Sequence, residues 1–295
     1  MAKTIIGIIG GSGLYDIEGF KNIQRKKLKT PFGNPSDEYV TGDIEGTTLV
    51  FLPRHARGHL IPPSQINYRA NIFGMKLLGV QYLVSISAVG SMKEEISPGD
   101  IVIVDQFFDQ TKGIRKHTFF ESGIVSHISF GDPVCPQWSE SVYQAAQKVS
   151  SKSVHKGGTY ICVEGPQFST RAESKIYRSW GGGGIDVIGM TNIPEAKLAR
   201  EAELCYAAVA FSTDYDSWRE GEEAVTADVV LATLKKNADM AKKIIQRLPQ
   251  VVPSAVRCHC GSALKYALVT DRAKISKKIK SQLKPLIGGH SEREA

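Results

Sequence analysis

The chain has 295 residues, 42% of them hydrophobic, and a formal net charge of +7, so it is long enough to bury one large core or two small ones. No apolar run approaches the ~20 residues of a membrane span, and glycines interrupt the N-terminal apolar stretch too early for a secretory signal. We therefore expect a cytoplasmic protein that makes no membrane contact.

The positive charge is concentrated near the C-terminus. Six of the 37 basic residues lie in residues 272–284, which contain no acid, and the other 31 are balanced by 30 acidic residues. Within this stretch, apolar residues recur every four positions, as on one face of a helix, at Ile275, Ile279 and Leu283. We predict one domain in residues 1–270 and a basic, helical tail in residues 271–295, and we do not expect nucleic acid as a partner.

The first predicted element is a buried strand, Ile5–Ile9, that breaks into Gly10-Gly11-Ser12-Gly13. Glycines allow a tight turn that brings backbone N–H groups close to an anion, and Ser12 adds a hydroxyl donor. A dinucleotide-binding loop needs a third glycine where this chain has Asp16, and a nucleotide-triphosphate loop needs Gly-Lys-Ser/Thr. We therefore predict a cradle for inorganic phosphate or a small phosphorylated ligand.

Strand and helix patterns alternate along the rest of the chain. After the first strand, strands are predicted at Thr48–Leu52, Tyr82–Ser87, Ile101–Val104, Thr159–Val163, Ile185–Ile188 and Cys205–Ser212. Helices are predicted at Ser64–Leu78, Ser139–Val149, Arg171–Trp180, Pro194–Glu203 and about Thr226–Arg247. This alternation predicts an α/β fold with a central mixed or largely parallel sheet flanked by helices.

Polar residues follow five of these strands, where α/β proteins bind their ligands. Arginine is suited to bidentate phosphate binding, and histidine, serine and threonine can add donors. The predicted phosphate ligands are Ser12, Arg54, His55, Ser87, the Ala88 N–H and Thr191. No metal ligands surround them in the sequence, so we predict that phosphate is held as a nucleophile and that no metal takes part.

Asp214 and Asp216, two residues apart after the last strand, project to the same side in an extended backbone. Adenine presents an acceptor at N7 and an amino donor at C6, which suits one protonated and one ionised carboxyl group, whereas a 6-oxopurine presents two acceptors. Protonating a leaving base near neutral pH requires an Asp pKa well above about 3.9, through burial or a neighbouring carboxylate. We predict that Phe168 stacks on the base.

The five cysteines are too few for a disulfide scaffold of this size. Cys258-His259-Cys260 is tighter than a Cys-x₂-Cys zinc motif, and no second ligand pair follows it in the sequence. Free or disulfide-linked thiols are therefore expected rather than a zinc site.

Several long segments resemble the trimeric purine nucleoside phosphorylases, and within them the 5'-methylthioadenosine phosphorylases. The resemblance runs in order to about residue 270 and rests on Gly-Ile-Ile-Gly-Gly-Ser-Gly-Leu, Pro-Arg-His-Ala-Arg-Gly-His, Ser-Ala-Val-Gly-Ser, Val-Glu-Gly-Pro-Gln-Phe-Ser-Thr-Arg-Ala-Glu, Gly-Met-Thr-Asn-Ile-Pro-Glu-Ala and Thr-Asp-Tyr-Asp. It implies a single-domain nucleoside phosphorylase fold. It also implies phosphorolysis of 5'-methylthioadenosine to adenine and 5-methylthioribose 1-phosphate, with phosphate as co-substrate and no cofactor.

The resemblance also implies roles for individual residues. The phosphate ligands predicted above match the family's phosphate positions, and Met190 matches a ribose contact. Asp214, Tyr215 and Asp216 match the adenine-reading segment, and Phe168 matches the stacking aromatic residue. His127 matches a histidine lent to the neighbouring subunit, which implies a homotrimer or a dimer of trimers. Cys135, Cys205, Cys258 and Cys260 resemble archaeal members in which such cysteines form disulfides.

Three alternatives remain open at this point. A purine nucleoside phosphorylase of the same fold would act on adenosine, inosine or guanosine, although the two aspartates disfavour 6-oxopurines. A nucleosidase would use water and would not need Ser12, Arg54 and His55. A non-catalytic nucleoside or phosphate sensor would keep the site without turnover.

Overall fold

The computed structural model describes residues 4–11, 18–150, 152–180, 184–219, 227–255 and 257–290. Its centre is a mixed sheet of eleven strands. The strands are β1 (Ile5–Gly10), β2 (Lys21–Lys26), β3 (Tyr39–Ile44), β4 (Thr47–Pro53), β5 (Tyr82–Ser91), β6 (Ile101–Val104), β7 (Gln106–Gln110), β8 (Val154–Lys156), β9 (Thr159–Val163), β10 (Val187–Gly189) and β11 (Cys205–Asp214). The helices are α1 (Tyr68–Leu77), α2 (Pro136–Val149), α3 (Arg171–Ser179), α4 (Asn192–Glu201), α5 (Ala227–Val251), α6 (Lys277–Gln282) and α7 (Lys284–Ile287).

Helices cover both faces of the sheet because successive side chains of its strands point to opposite faces. In β1, Ile9 packs in the hydrophobic cluster that contains residues of α1 and α4. Ile6 and Ile8 pack in the other large cluster, with α2 and α5. The central mixed sheet flanked by helices confirms the predicted fold class.

Strand β5 organises the centre of the sheet. Along one edge it pairs with β11 in parallel, from Tyr82 to Gly90. Along the other edge it pairs first with β1, as far as Ser85, and then with the antiparallel β10, from Gly90 onward. Strands β1 and β10 therefore run towards each other, and residues 86–89 of β5 have no strand partner on that edge.

Four strands were not predicted from the sequence: β2, β3, β7 and β8. Every residue of Lys21–Lys26 is exposed because β2 lies at the edge of the sheet, so it carries no apolar alternation. The predicted helix Ser64–Leu78 is divided: a single 3-10 turn covers Pro63–Gln65, and α1 begins after Asn67, whose side chain accepts the N–H of Ala70.

The basic segment near the C-terminus forms two short helices, α6 and α7, rather than one. Ile275 and Leu283 are buried in the same hydrophobic cluster as α1 and α4, and Ile279 packs against that cluster. A domain boundary at residue 270 stays a prediction. Among the described residues, no helix is both long and apolar enough to cross a bilayer.

Candidate active site

Arg54, directly after β4, is only 2% exposed and lies beside the end of β1 and the middle of β5. Its Nε and Nη2 donate to the carboxylate of Glu195 at 3.3 and 3.4 Å. Nη2 also donates to the Ile9 carbonyl and the Ser85 hydroxyl, and Nη1 donates to the Ile86 carbonyl at 2.8 Å. The guanidinium is thus fixed by the protein, and one Nη1 hydrogen remains to contact a ligand.

A second layer of hydrogen bonds holds this ion pair in place. The Tyr206 hydroxyl donates to Glu195 Oε1 at 3.0 Å, and Asn192 Nδ2 donates to Tyr206 at 3.0 Å and to Ser85 at 3.4 Å. All five residues are buried. Because buried charges are costly unless they are paired and hydrogen-bonded, this closed network makes the Arg54 position rigid.

The unpaired edge of β5 lies next to Arg54. N–H and C=O groups of a strand residue point to the same edge and alternate along the strand, so the Ala88 N–H points to the edge on which Arg54 contacts the Ile86 carbonyl. Ser87 Oγ is buried and has no hydrogen-bond partner among the described residues. Thr191 follows the end of β10 by two residues, and its backbone N–H donates to the Tyr160 hydroxyl at 3.4 Å. Ser87 and Ala88 thus lie beside Arg54, and the role of these residues as phosphate ligands stays a prediction.

His55 is 9% exposed, and its Nδ1 lies 2.8 Å from the Ile61 carbonyl, to which it must donate. In the neutral ring Nε2 is then an acceptor, and it donates only when the ring is protonated. Burial lowers the pKa of His55 to about 4, with a smaller contribution from the Arg54 charge. His55 can therefore act as the predicted donor to a ligand only if a bound anion stabilises the protonated ring.

The two aspartates lie beside Gly90, at the end of β11. Asp214 accepts the Thr213 hydroxyl at 2.6 Å and the N–H of Asp216 at 2.8 Å. Asp216 has a left-handed backbone (φ 50°), so the extended arrangement expected from the sequence is wrong: the Asp214 carboxylate holds a turn instead. A Cβ on Gly90 would lie 3.0 Å from Asp214 Oδ1 and 3.1 Å from Asp216 Cβ, so a residue with a side chain would crowd both acids.

Burial raises the pKa of Asp216, opposed by hydrogen bonds from Ser174 and the Ser217 backbone. Its Oδ2 is buried without a hydrogen-bond partner among the described residues. The group therefore holds a proton more strongly than an exposed aspartate and has one oxygen free for a ligand.

Phe168 and Met190 come to the same region from two different loops. Phe168 is 44% exposed, and the carbonyl of the next residue, Ser169, accepts the Ser217 hydroxyl at 2.8 Å. Met190 follows β10, and its side chain packs over Gly165, where an added Cβ would lie 2.5 Å from the Met190 sulfur. The Phe168 ring is thus partly exposed, and the residue after it contacts the segment that follows Asp216.

Three further predicted residues have other positions. The Tyr215 ring is buried against Trp218, and its hydroxyl bonds Ser97 at 3.3 Å, so its contacts are within the protein. The His127 side chain is exposed, and the backbone N–H of this residue donates to the Ala267 carbonyl at 2.8 Å. Ser12 lies outside the described residues.

Sequence reasoning missed the residues that position the site. Arg115 and Glu164 form a buried ion pair at 2.8 Å, and Arg115 also donates to the carbonyls of Met190 and Ile193 at 2.7 Å. This pair ties the Phe168 loop to the Met190 segment. Glu164 and Glu195 lie inside the segments that carry the resemblance, and that position was the available signal for them. Arg115 stood in no motif.

The chain is similar to known phosphorylases over most of its length. A family profile described as the phosphorylase superfamily matches residues 5–249. A curated S-methyl-5'-thioadenosine phosphorylase from Geobacter sulfurreducens is 54% identical over 288 residues, covering 98% of this chain and 99% of the relative. One from the archaeon Hyperthermus butylicus is 49% identical over 270 residues, covering 90% and 96%. The crystal structure of a methylthioadenosine phosphorylase from an antarctic soil metagenomic library has a TM-score of 0.90 and 45% identity, covering 97% of this chain and 99% of that one.

Proposed function

Because the chain belongs to the phosphorylase superfamily, we propose that it catalyses the phosphorolysis of 5'-methylthioadenosine. The products are adenine and 5-methylthioribose 1-phosphate, and inorganic phosphate is the co-substrate. The observation that carries this proposal is the unpaired edge of β5, where the free Ser87 hydroxyl and the Ala88 N–H lie beside Arg54.

Phosphate binds at this edge and attacks C1' of the ribose. The Ser87 and Thr191 hydroxyls, the Ala88 N–H and the remaining Arg54 hydrogen donate to its oxygens. Since Glu195 neutralises much of the Arg54 charge, a phosphate dianion favours protonation of His55, which then donates through Nε2. Holding the dianion below the sugar positions the nucleophile and stabilises the positive charge that develops on the ribose.

The adenine leaves towards the aspartates. As the C1'–N9 bond breaks, its electron pair moves into the base, and protonated Asp216 donates to N7. We assign the proton to Asp216 because its pKa is raised and its Oδ2 is free, whereas Asp214 already accepts two donors. A carboxylate oxygen of Asp214 accepts from the 6-amino group, and Phe168 stacks on the ring. Tyr215 positions this segment through Trp218 and Ser97.

The remaining assignments concern the sugar and the neighbouring subunit. Met190 contacts the ribose from the end of β10. His127, exposed on one protomer, completes the site of the next in a homotrimer or dimer of trimers. The reaction takes place in the cytoplasm without a further cofactor.

Adenine release from 5'-methylthioadenosine, followed with and without phosphate, tests this function. The proposal predicts release only with phosphate and a sugar 1-phosphate as the second product. Equal release without phosphate would identify a nucleosidase. Faster cleavage of adenosine or of inosine would instead support the broader purine nucleoside phosphorylases, and binding without turnover would support a sensor.

A further inference from the structure

Four of the five cysteines form one cluster near the start of β11, the end of that strand opposite to the two aspartates. The Sγ atoms of Cys135, Cys205, Cys258 and Cys260 all lie within 4.8 Å of one another. All five cysteines of the chain are free thiols, and the Sγ atoms of Cys205 and Cys258 are 3.4 Å apart, well beyond a disulfide bond. The sequence argument against zinc considered only spacing along the chain, and folding supplies the second ligand pair that it did not find.

The size of the cluster matches a single tetrahedral metal ion. Zinc binds thiolate sulfur at about 2.3 Å, which places the four sulfurs of a tetrahedron about 3.8 Å apart. A cluster of several irons holds its ligating sulfurs further apart. Four neutral thiols this close form only weak hydrogen bonds with one another. Four thiolates would repel one another without a central cation.

The surroundings of the cluster supply the groups that stabilise bound thiolates. Cys135 is the N-cap of α2, and its sulfur accepts the N–H of Trp138 at 3.4 Å. Arg200 Nη1 donates to the Cys260 sulfur at 3.5 Å. A zinc ion with four thiolates carries two negative charges, which a helix N-terminus and a guanidinium partly offset.

The protein backbone holds the four residues together independently of the sulfurs. The Cys135 N–H donates to the Tyr206 carbonyl at 2.8 Å, next to Cys205. The Gln137 side chain donates to the Ala255 carbonyl and accepts the Arg257 N–H, which fixes the segment leading to Cys258. The ligands are thus brought together in advance from α2, β11 and the C-terminal segment.

We propose that Cys135, Cys205, Cys258 and Cys260 bind a structural Zn²⁺ ion that fastens the C-terminal segment, residues 257–290, to the rest of the protein. Cys205 begins β11 and Asp214 ends it, so the metal lies about 30 Å from the base-binding acids and takes no part in catalysis. Beyond Cys260 the chain contributes Leu264 and Ala267 to the core. It also pairs with the segment that carries His127.

Metal analysis of the full-length protein tests the proposal without any activity measurement. The protein is produced in medium supplied with both zinc and iron, purified in reducing buffer without chelator, and analysed by mass spectrometry of the metals. We expect about one zinc per chain. The same stoichiometry is expected for Cys162→Ser, because Cys162 lies outside the cluster, and Cys258→Ser should lose the zinc.

Two further measurements keep the test decisive where Cys258→Ser does not fold. Titration of the wild-type protein with a mercurial that attacks thiolates should release zinc in step with modification of four thiols. Replacement by Co²⁺ should give the intense visible bands of a tetrahedral tetrathiolate site. Iron in place of zinc would overturn the assignment of the metal. Metal-free protein, with either four reactive thiols or an intact mass lower by two hydrogens per disulfide, would overturn the site.

Discussion

The phosphate end and the base end of the proposed site are built in opposite ways. At the phosphate end, a buried cation is paired: Arg54 contacts Glu195, and neutral groups complete the network. At the base end, Asp216 is partly buried and forms no ion pair among the described residues, and burial raises its pKa. The paired charge fixes geometry, and the unpaired acid keeps a proton. The comparison indicates that one end serves to position the nucleophile and the other to protonate the leaving group.

The largest expected effect comes from removing the proton at the base end. Asp216→Asn keeps the size of the side chain but removes its acid, so kcat for adenine release should fall about 10²- to 10⁴-fold. KM for phosphate should be unchanged, because the phosphate end is intact. Steady-state kinetics with both substrates varied measures the two effects. A matching rise in KM for phosphate would contradict the separation of the two ends.

Arg54→Ala should instead damage the fold at the phosphate end. It leaves Glu195 as an uncompensated buried charge, which costs about 3–5 kcal/mol of unfolding free energy. Urea denaturation measures this loss. The control is Arg57→Ala, three residues later, because the Arg57 pairs with Asp37 and Glu38 lie at the surface and should contribute less than about 1 kcal/mol. Equal losses in the two variants would show that the Arg54 network is not structural.

Glu201 in α4 separates the pH dependence of stability from that of activity. Like Asp216, it is an acid that forms no ion pair in the part of the chain that the structure describes, but it is buried outside the site. Burial raises its pKa to about 7, opposed by the hydrogen bonds from Thr118 and the Phe119 N–H. The native state therefore holds the proton more tightly than the unfolded chain. The free energy of unfolding therefore decreases as the pH rises from about 4.5 to about 7, by about 3 kcal/mol in all.

Glu201→Gln should remove this decrease. The stability of the variant relative to the wild type should therefore increase as the pH rises to 7. Denaturation at a series of pH values measures the difference. Glu121→Gln is a control of opposite sign, because Arg69 lowers the pKa of Glu121 and favours its charged form. A Glu201 difference that does not change with pH would refute the assignment. Activity should still fall at high pH in Glu201→Gln, as Asp216 loses its proton.

The smallest expected effect concerns a single donor at the phosphate end. Ser87→Ala should raise KM for phosphate about tenfold to a hundredfold, since one hydrogen bond to a charged group contributes about 1.5–3 kcal/mol. KM for the nucleoside should hardly change. Ser139→Ala, which removes another buried unpartnered hydroxyl in α2, should leave both constants unchanged. An unaltered KM for phosphate in Ser87→Ala would move the phosphate away from β5.

Local patterns in the sequence predicted seven of the eleven strands but not β3, although β3 is almost entirely buried. They also missed β2, because an exposed edge strand has no apolar face. They did not show that β10 is antiparallel to β5. The long-range partners were also out of reach. Glu195 lies 141 residues from Arg54, and the four cysteines come from three separate segments. Residue patterns predicted the phosphate ligands and the two aspartates, and the resemblance added Met190, Tyr215 and His127. The left-handed turn at Asp216 follows from one hydrogen bond that no spacing reveals.

A crystal structure of the protein with phosphate and 5'-methylthioadenosine, or an uncleaved analogue, tests the division into two ends most directly. The account predicts phosphate within hydrogen-bonding distance of Ser87 Oγ, the Ala88 N–H and Arg54 Nη1. It also predicts adenine N7 against the Asp216 carboxyl group. Phosphate bound away from the edge of β5, or a base turned so that N7 faces neither aspartate, would contradict it.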